Sequence, residues 1–171
     1  MVILSAIDHF ARGFFMTIQV LFYPSVVLVL LAFILLTIPR AALRTLVPLG
    51  LVLGGLVDTI CNFICGNLLR IYSFTSPGIL DASGHLILAP LAWSLVIIAF
   101  LYFWPSKKFE PLTYFYILAW GLLATGFSQV VDFLELFDYS DWLYPLPMLI
   151  LFLVRFSLAA WVAKPWTNSW V

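Results

Sequence analysis

Residues Trp142 to Ala163 read WLYPLPMLILFLVRFSLAAWVA, and Arg155 is the single charged residue among them. A helix that crosses a bilayer needs ~20 predominantly apolar residues, and this stretch meets that length. Ionisable side chains at membrane depth are rare, costly and usually paired or functional. The stretch therefore predicts a transmembrane helix, and its arginine locates a candidate site.

The composition of the whole chain predicts an all-α, polytopic membrane protein. Of its 171 residues 64% are hydrophobic and 9% are charged, with a mean hydropathy of +1.13, whereas soluble domains carry roughly 25% charged residues. Eight basic residues balance eight acidic ones, so the basic surface that nucleic acid requires is missing. We expect one transmembrane domain over residues 1–171, with membrane lipid and not nucleic acid as its surroundings.

Five segments reach or approach the length of a membrane span, and prolines or charges punctuate their ends. The predicted spans cover about residues 14–38, 46–69, 86–104, 112–137 and 142–163. They predict a bundle of five transmembrane helices. Pro145 and Pro147 lack the amide hydrogen that a regular helix uses, so the last span should begin irregularly. Ile3, Ile7 and Phe10 share one helical stripe, which favours a short N-terminal interfacial helix before the first span.

The distribution of basic residues predicts the orientation, because short cytoplasmic loops are enriched in lysine and arginine. One set of loops carries five of these residues and the opposite set two. The two sets are Arg40, Arg44, Lys107, Lys108 and Lys164 against Arg12 and Arg70. We predict a multi-pass protein of the cell membrane with its N-terminus outside and its C-terminus in the cytoplasm. A four-span alternative, with the last segment partly in the interface, would place both termini outside.

Depth within the bilayer selects a partner for Arg155. At 1.5 Å per residue, Asp58 lies ~18 Å from the cytoplasmic end of the second span, and Arg155 lies ~12 Å from the same side. The long arginine side chain can cover that difference, so we predict a buried Asp58–Arg155 pair. The alternative is that Arg155 extends toward the cytoplasmic interface, as long basic side chains do near helix ends.

Small and polar residues form a stripe along the second span and another along the fourth. The second-span stripe is Gly54, Asp58, Cys61, Asn62 and Cys65, and the fourth-span stripe is Gly121, Thr125, Ser128, Asp132 and Glu135, with Gln129 beside it. Small residues allow helices to approach closely, and polar ones hydrogen-bond between helices. The two stripes are predicted to face each other or a shared cavity.

A second polar layer is predicted near the outer surface. Asp132 and Glu135 lie within ~8 Å of the outer end of the fourth span, at the level of Asn67, Arg70 and His85 on neighbouring segments. The candidate polar set of stripe and outer cluster is Asn62, Asn67, Arg70, His85, Ser128, Gln129, Asp132 and Glu135. These groups could be hydrated at the headgroups or act together, and a metal at the outer acids is left open.

The chain's two cysteines are predicted to be free thiols. Cys61 and Cys65 stand four residues apart, where helical β-carbons are ~5–6 Å apart, whereas a disulfide requires about 3.8 Å. We expect both to be buried and to pack as small apolar side chains. No cofactor is expected, because haem would need axial ligands at membrane depth and His85 is the only histidine near a span.

The punctuation of the spans resembles that of a little-characterised family of small five-helix integral membrane proteins from spore-forming Gram-positive bacteria. The likeness is carried by five stretches distributed over most of the chain. They are Ile38-Pro39-Arg40, Leu68 to Phe74, Ala89-Pro90, Phe103-Trp104-Pro105-Ser106, and Asp132 through Trp142. The resemblance implies the five-helix fold and a bacterial envelope, and brings no activity with it.

Three classes of function fit the sequence. The first is a non-enzymatic envelope scaffold that binds lipid, partner helices or a second copy of itself. The second is a small-molecule or proton-coupled transporter in which Asp58 and Arg155 form a switchable pair. The third is an envelope enzyme that uses His85, Asp132 and Glu135 as metal ligands or acid–base groups. Hydrolase, metalloprotease and nucleotide-binding motifs are missing, which favours the first class over the third.

Overall fold

The computed structural model describes residues 2–73, 81–82, 85–105 and 110–167, and the side chains of residues 16–71, 87–105 and 111–164. These residues form helices joined by short connections, so the all-α class is confirmed. The helices are α1 (Val2–Thr37), α2 (Arg40–Leu68), α3 (Leu88–Tyr102), α4 (Glu110–Phe133) and α5 (Leu146–Thr167).

Within the described residues, four two-residue strands lie between the helices. β1 (Tyr72–Ser73) pairs antiparallel with β4 (Asp138–Tyr139), and β2 (Asp81–Ala82) pairs with β3 (His85–Leu86). β1 follows α2, and β4 follows α4. Their pairing therefore places the C-terminal ends of α2 and α4 at the same end of the bundle.

The third helix lies at the centre of the bundle. Its sequence, LAPLAWSLVIIAFLY, is apolar on all sides, which is typical of a helix surrounded by others. α1, α2 and α5 all pack against it, and the side chains of Ile97 and Phe100 have no exposed surface. The shortest of the five helices thus positions the longer ones.

Glycines allow α2 to approach α3 unusually closely. A β-carbon added to Gly54 would lie 2.5 Å from the Trp93 carbonyl oxygen and 2.6 Å from the Ser94 Cα atom. A β-carbon on Gly50 would lie 2.8 Å from the Ser94 carbonyl oxygen. Since these neighbours are backbone atoms, a side chain at either position would force the two helices apart.

Aromatic side chains connect α3 with α4 and α5. The ring centroids of Phe100 and Phe156 are 4.9 Å apart, and the ring of Tyr116 stacks on Phe100 at 5.3 Å. The Tyr116 hydroxyl also donates a hydrogen bond of 2.8 Å to the Phe100 carbonyl oxygen. Stacked and tilted pairs at such distances are favourable beyond the apolar area they bury. This cluster holds α4 and α5 to the central helix.

Two π-helical turns interrupt α2, at Leu51–Leu56 and Phe63–Leu68, and an α-helical turn, Val57–Asn62, separates them. In the first π turn the Val57 amide donates to the Val52 carbonyl oxygen, five residues back, and it also reaches the Gly54 carbonyl. Each π turn accommodates an extra residue relative to an α-helix, and such turns are frequent at functional sites. They set the direction in which the side chains between them point.

Several predicted boundaries differ from the structure. The predicted interfacial helix is not a separate element, because α1 continues unbroken from Val2 to Thr37 and no proline stands before Pro24 to end it. α2 begins at Arg40, six residues earlier than predicted, since Pro39 is extended and starts the helix there. The irregular start of the last span is confirmed by a 3₁₀ turn, Asp141–Leu143, ahead of α5.

The predicted fourth span is too long at its C-terminal end. α4 ends at Phe133, and Glu135 adopts a left-handed backbone conformation with φ 55°. The Leu136 amide then donates to the Val131 carbonyl oxygen, the bond that closes a helix in a Schellman motif. Glycine usually occupies that left-handed position, so the glutamate gave no sequence signal for a helix end.

Among the described residues, four helices are long and apolar enough to cross a membrane, which indicates a membrane-spanning protein. They are Met16–Thr37, Arg40–Leu68, Pro111–Phe133 and Leu146–Lys164, and α3 is a shorter apolar helix.

The glycine contacts predict a sharp difference between two similar substitutions. Gly54→Ala should destabilise the protein by about 1–3 kcal/mol, because the new methyl group collides with the α3 backbone. Gly126→Ala is the matched control, since nothing lies within 4 Å of its added β-carbon, and better helix propensity should make it neutral or stabilising by up to about 1 kcal/mol. Unfolding free energies measured in bicelles test this, and equal effects of the two substitutions would contradict the close contact.

Candidate functional site

Arg155 of α5 and Asp58 of α2 meet inside the bundle, as their predicted depths require. The Arg155 Nη1 atom donates a hydrogen bond of 2.9 Å to Asp58 Oδ1. Only 12% of the arginine side chain and 6% of the aspartate side chain are exposed. The alternative, in which Arg155 extends to the cytoplasmic interface, is wrong for this structure.

Both members of the pair have further partners. Asn62, one helical turn after Asp58, donates from Nδ2 to Asp58 Oδ2 at 2.9 Å. The Arg155 Nη2 atom donates to the Gly54 carbonyl oxygen, also at 2.9 Å. Trp93 of α3 lies over the guanidinium, with 4.0 Å between its ring centroid and the Arg155 Cζ atom. Three helices therefore contribute to one charged centre.

The Trp93 ring partly replaces the hydration that stabilises an arginine cation at a protein surface. A cation over an indole ring gains ~0.5–1 kcal/mol when exposed and ~2 kcal/mol or more when desolvated. The ring of Trp93 is itself held by stacking on Phe152 at a centroid distance of 5.3 Å. Arg155 and Phe152 are both on α5, so the tryptophan is fixed by the helix whose charge it covers.

One nitrogen atom of the Arg155 guanidinium has no hydrogen-bond partner among the described residues. Within the part of the chain that the structure describes, Arg155 Nε is buried and has no hydrogen-bond partner. An unmet buried donor costs about 1–3 kcal/mol. The arrangement around the guanidinium is therefore not the most stable one that an arginine can have.

The helical geometry of α2 directs its polar groups toward Arg155. Gly54 has no side chain to cover its carbonyl oxygen, and it lies in the first π turn, Leu51–Leu56. Asp58 and Asn62 follow in the next, α-helical turn, and residues four apart share a helix face. Carbonyl, carboxylate and amide thus face α5 together.

A smaller polar group lies at the end of α4. Gln129 donates from Nε2 to Asp132 Oδ2 at 3.4 Å and accepts a hydrogen bond of 3.3 Å from the Tyr139 hydroxyl. Burial, together with the nearby Asp132 carboxylate and Tyr144, raises the pKa of Tyr139 to about 12. A phenol is protonated at neutral pH, and the raised pKa keeps this one a donor to Gln129 up to a higher pH than usual.

The rest of the predicted outer cluster is placed as follows. Asn67 and Arg70 are exposed at the end of α2, and Arg70 has a left-handed backbone conformation with φ 50°. Glu135 is exposed beyond the end of α4. The side chain of His85 lies outside the described part of the structure. Among the side chains that are described, no group of three His, Cys, Asp or Glu residues could hold a metal.

Of the two arrangements predicted for the polar stripes, direct contact between them is wrong, and a shared cavity stays a prediction. Gly54 approaches the α3 backbone, whereas a β-carbon added to Gly121 would lie 2.7 Å from the Leu153 side chain of α5. The hydroxyls of the α4 stripe bond within their own helix, from Thr125 to the Gly121 carbonyl and from Ser128 to the Thr125 carbonyl. Because these groups are satisfied locally, they need no partner on α2.

The prediction for the cysteines is correct in part. Both are free thiols, but Cys61 is exposed and Cys65 is half-buried. Their segment of α2 lies at the outside of the bundle, where no residue from Phe63 to Leu68 is buried. A small apolar side chain can face lipid as well as a protein core, so the residue type did not determine its burial.

The sequence analysis did not identify three groups that make contacts between helices. Trp93 stands mid-span, away from the helix ends where membrane tryptophans concentrate, and this position was the available signal. The Gly54 carbonyl is a backbone group, and the π turn that exposes it has no sequence signature that we recognise. Gln19 of α1 donates to the Leu134 carbonyl oxygen at 2.8 Å and so joins α1 to the end of α4.

Comparison of the chain with protein-family models, with curated proteins and with solved structures gave no match. The resemblance to a family of five-helix membrane proteins therefore stays a prediction.

A double-mutant cycle should reveal the pair as a coupled unit. Arg155→Met and Asp58→Leu are each expected to cost about 3–5 kcal/mol, because each leaves the other group buried without its partner. The double variant should recover most of that loss, since apolar side chains of similar size then fill the site. Unfolding free energies in bicelles provide the measurement.

Arg44→Met serves as the control for that cycle. Arg44 is exposed on α2, and substitutions at such positions usually change stability by less than about 0.5 kcal/mol. Strictly additive losses in the Asp58/Arg155 double variant would show that the two groups are not coupled.

Proposed function

We propose that the protein is a non-enzymatic scaffold of a bacterial cell membrane, with five membrane-crossing helices and an exterior that binds lipid or partner helices. The contacts of Arg155 carry this proposal. Its Nη1 and Nη2 atoms are engaged by Asp58 and Gly54, and its flat face lies against Trp93. A guanidinium used in this way fastens α5 to α2 and α3 and has little left to offer a substrate.

The exterior of the bundle supports the same role. Large apolar side chains are exposed on all the long helices, among them Leu36, Val52, Phe133 and Trp161, which are 86%, 51%, 76% and 73% exposed. Exposed apolar area of this extent marks a surface that meets a membrane or another protein. The Asp58–Arg155 pair is inside and large apolar side chains are outside, which is the arrangement a scaffold in lipid requires.

The strand pairing supports α3 as a membrane crossing in addition to the four long apolar helices. β1 and β4 join the ends of α2 and α4 at one end of the bundle, so the chain between them must cross to the other end and return. α3 and α4 are the two helices available for that path. Although α3 is short for a bilayer, the surrounding helices bury it, so its length need not match the lipid thickness by itself.

Labelling of single cysteines tests the orientation. In a background with Cys61→Ser and Cys65→Ser, a membrane-impermeant maleimide applied to intact cells should label Ser5→Cys and leave Ser169→Cys unlabelled until the membrane is opened. The excess of basic residues on one side is the physical reason for this outcome. Labelling of both positions in intact cells would mean an even number of crossings and would contradict the five-span proposal.

A transporter that uses Asp58 and Arg155 is the alternative, and the unmet Arg155 Nε is the observation that favours it. Purified protein in liposomes loaded with pyranine separates the two functions. A scaffold should give the same proton flux under a pH gradient as protein-free liposomes, and Asp58→Asn should change nothing. Asp141→Asn is the matched control, because Asp141 is an exposed carboxylate outside the helices. Flux in the native protein that disappears in Asp58→Asn alone would overturn the scaffold proposal.

A further inference from the structure

The part of α2 before the Leu51–Leu56 turn, here called the inner half, and the part after it, called the outer half, are held very differently. Gly50 seats the inner half on the α3 backbone, and Gly54 seats the Leu51–Leu56 turn that follows it on the same backbone. From Phe63 to Leu68 no residue is buried, and from Thr59 to Cys61 all side chains are exposed. One end of the helix is fixed by close contact, and the other is free of such contact.

The first π turn lies at the boundary between these halves, and Arg155 contacts it. In a regular α-helix the Gly54 carbonyl oxygen would accept the amide of Asp58, four residues on. Here that oxygen accepts Arg155 Nη2 at 2.9 Å, and the Val57 amide reaches it as well as the Val52 carbonyl five residues back. A carbonyl oxygen has two lone pairs, so the arginine uses acceptor capacity that the Asp58 amide of a regular α-helical turn would need.

We propose that the Leu51–Leu56 turn is a rotary joint, and that the bond from Arg155 to the Gly54 carbonyl is the latch that keeps it in the π form. When the latch opens, the turn relaxes to α-helical hydrogen bonding. In the α-helical form the turn no longer accommodates the extra residue. The helix that follows is then turned by ~100° and shifted by ~1.5 Å. The inner half, fixed on α3, does not move.

The ion pair makes the joint two-state. Asp58 lies beyond the π turn, so a rotation of ~100° carries its carboxylate away from Arg155. The contacts of Arg155 to Asp58 and to Gly54 therefore form together and are lost together, which produces two discrete arrangements and not a continuum. The unmet donor at Arg155 Nε lowers the stability of the latched arrangement, which brings the two closer in free energy.

The rotation would also change the structure at the C-terminal end of α2. α2 ends at Leu68, Arg70 follows in a left-handed conformation, and β1 then pairs with β4 beyond α4. A turn of the outer half changes the face that Cys61 and Phe63 present to the surroundings and pulls on this strand pair. The joint does not depend on the scaffold role, since it would change the exterior of a scaffold or the access path of a carrier alike.

Spin labels along α2 measure the rotation directly. In the background with Cys61→Ser and Cys65→Ser, single cysteines are placed at positions 60–67, except 62, and at positions 41–47 as the reference for the inner half. The collision rate of each label with oxygen in bicelles follows the helical period, and its phase gives the direction that the helix faces. The full chain is used throughout, first with Arg155 and then with Arg155→Met.

Arg155→Met should shift the phase at positions 60–67 by ~100° and leave the phase at 41–47 unchanged. Asp58→Asn should leave both phases unchanged, because the Gly54 contact remains and the asparagine oxygen can still accept from Arg155. If Arg155→Met proves too unstable, the Asp58→Leu/Arg155→Met variant lacks the same latch and should show the same shift. An unchanged phase at 60–67 in the variants without Arg155 overturns the proposal, and so does an equal shift in Asp58→Asn.

Discussion

The charge of Arg155 must be satisfied within the protein, because Arg155 is buried inside a bundle of helices that are apolar enough to cross a membrane, where water is scarce. The structure meets this constraint with one carboxylate, one carbonyl and one aromatic face, contributed by Asp58, Gly54 and Trp93. α2, α3 and α5 have to lie side by side at a fixed depth for these groups to meet. The relative arrangement of three of the five helices follows from that single requirement.

The close approach of α2 to α3 is what makes the site geometrically possible. Gly54 serves twice, since its missing side chain lets the helix backbones touch and also leaves its carbonyl open to Arg155. The π turn around it then directs Asp58 toward α5. These features belong to one local stretch of chain, so packing, helix distortion and electrostatics are coupled there. That coupling is the physical basis for treating the stretch as a joint and not only as a structural contact.

Much of this could be read from the sequence. Hydropathy predicted the helical class, and depth along two spans was enough to pair Asp58 with Arg155. Helical periodicity failed where the helix is not α-helical or where polar groups bond locally, as Thr125 and Ser128 do within α4. The Gly54 carbonyl acceptor and the left-handed helix end at Glu135 have no reliable residue signature. They could be identified only from the three-dimensional structure.

The contact between Arg155 and Asp58 in a lipid bilayer is the point on which the description rests most directly. Solid-state NMR can measure the dipolar coupling between ¹⁵N-labelled arginine side chains and the ¹³C-labelled aspartate carboxyl group, with Arg155→Met used to assign the signal. An Nη1 to Oδ1 distance of 2.9 Å predicts strong dephasing that disappears in that variant. Dephasing that is weak, or that survives the loss of Arg155, would show that the two groups do not meet in the membrane.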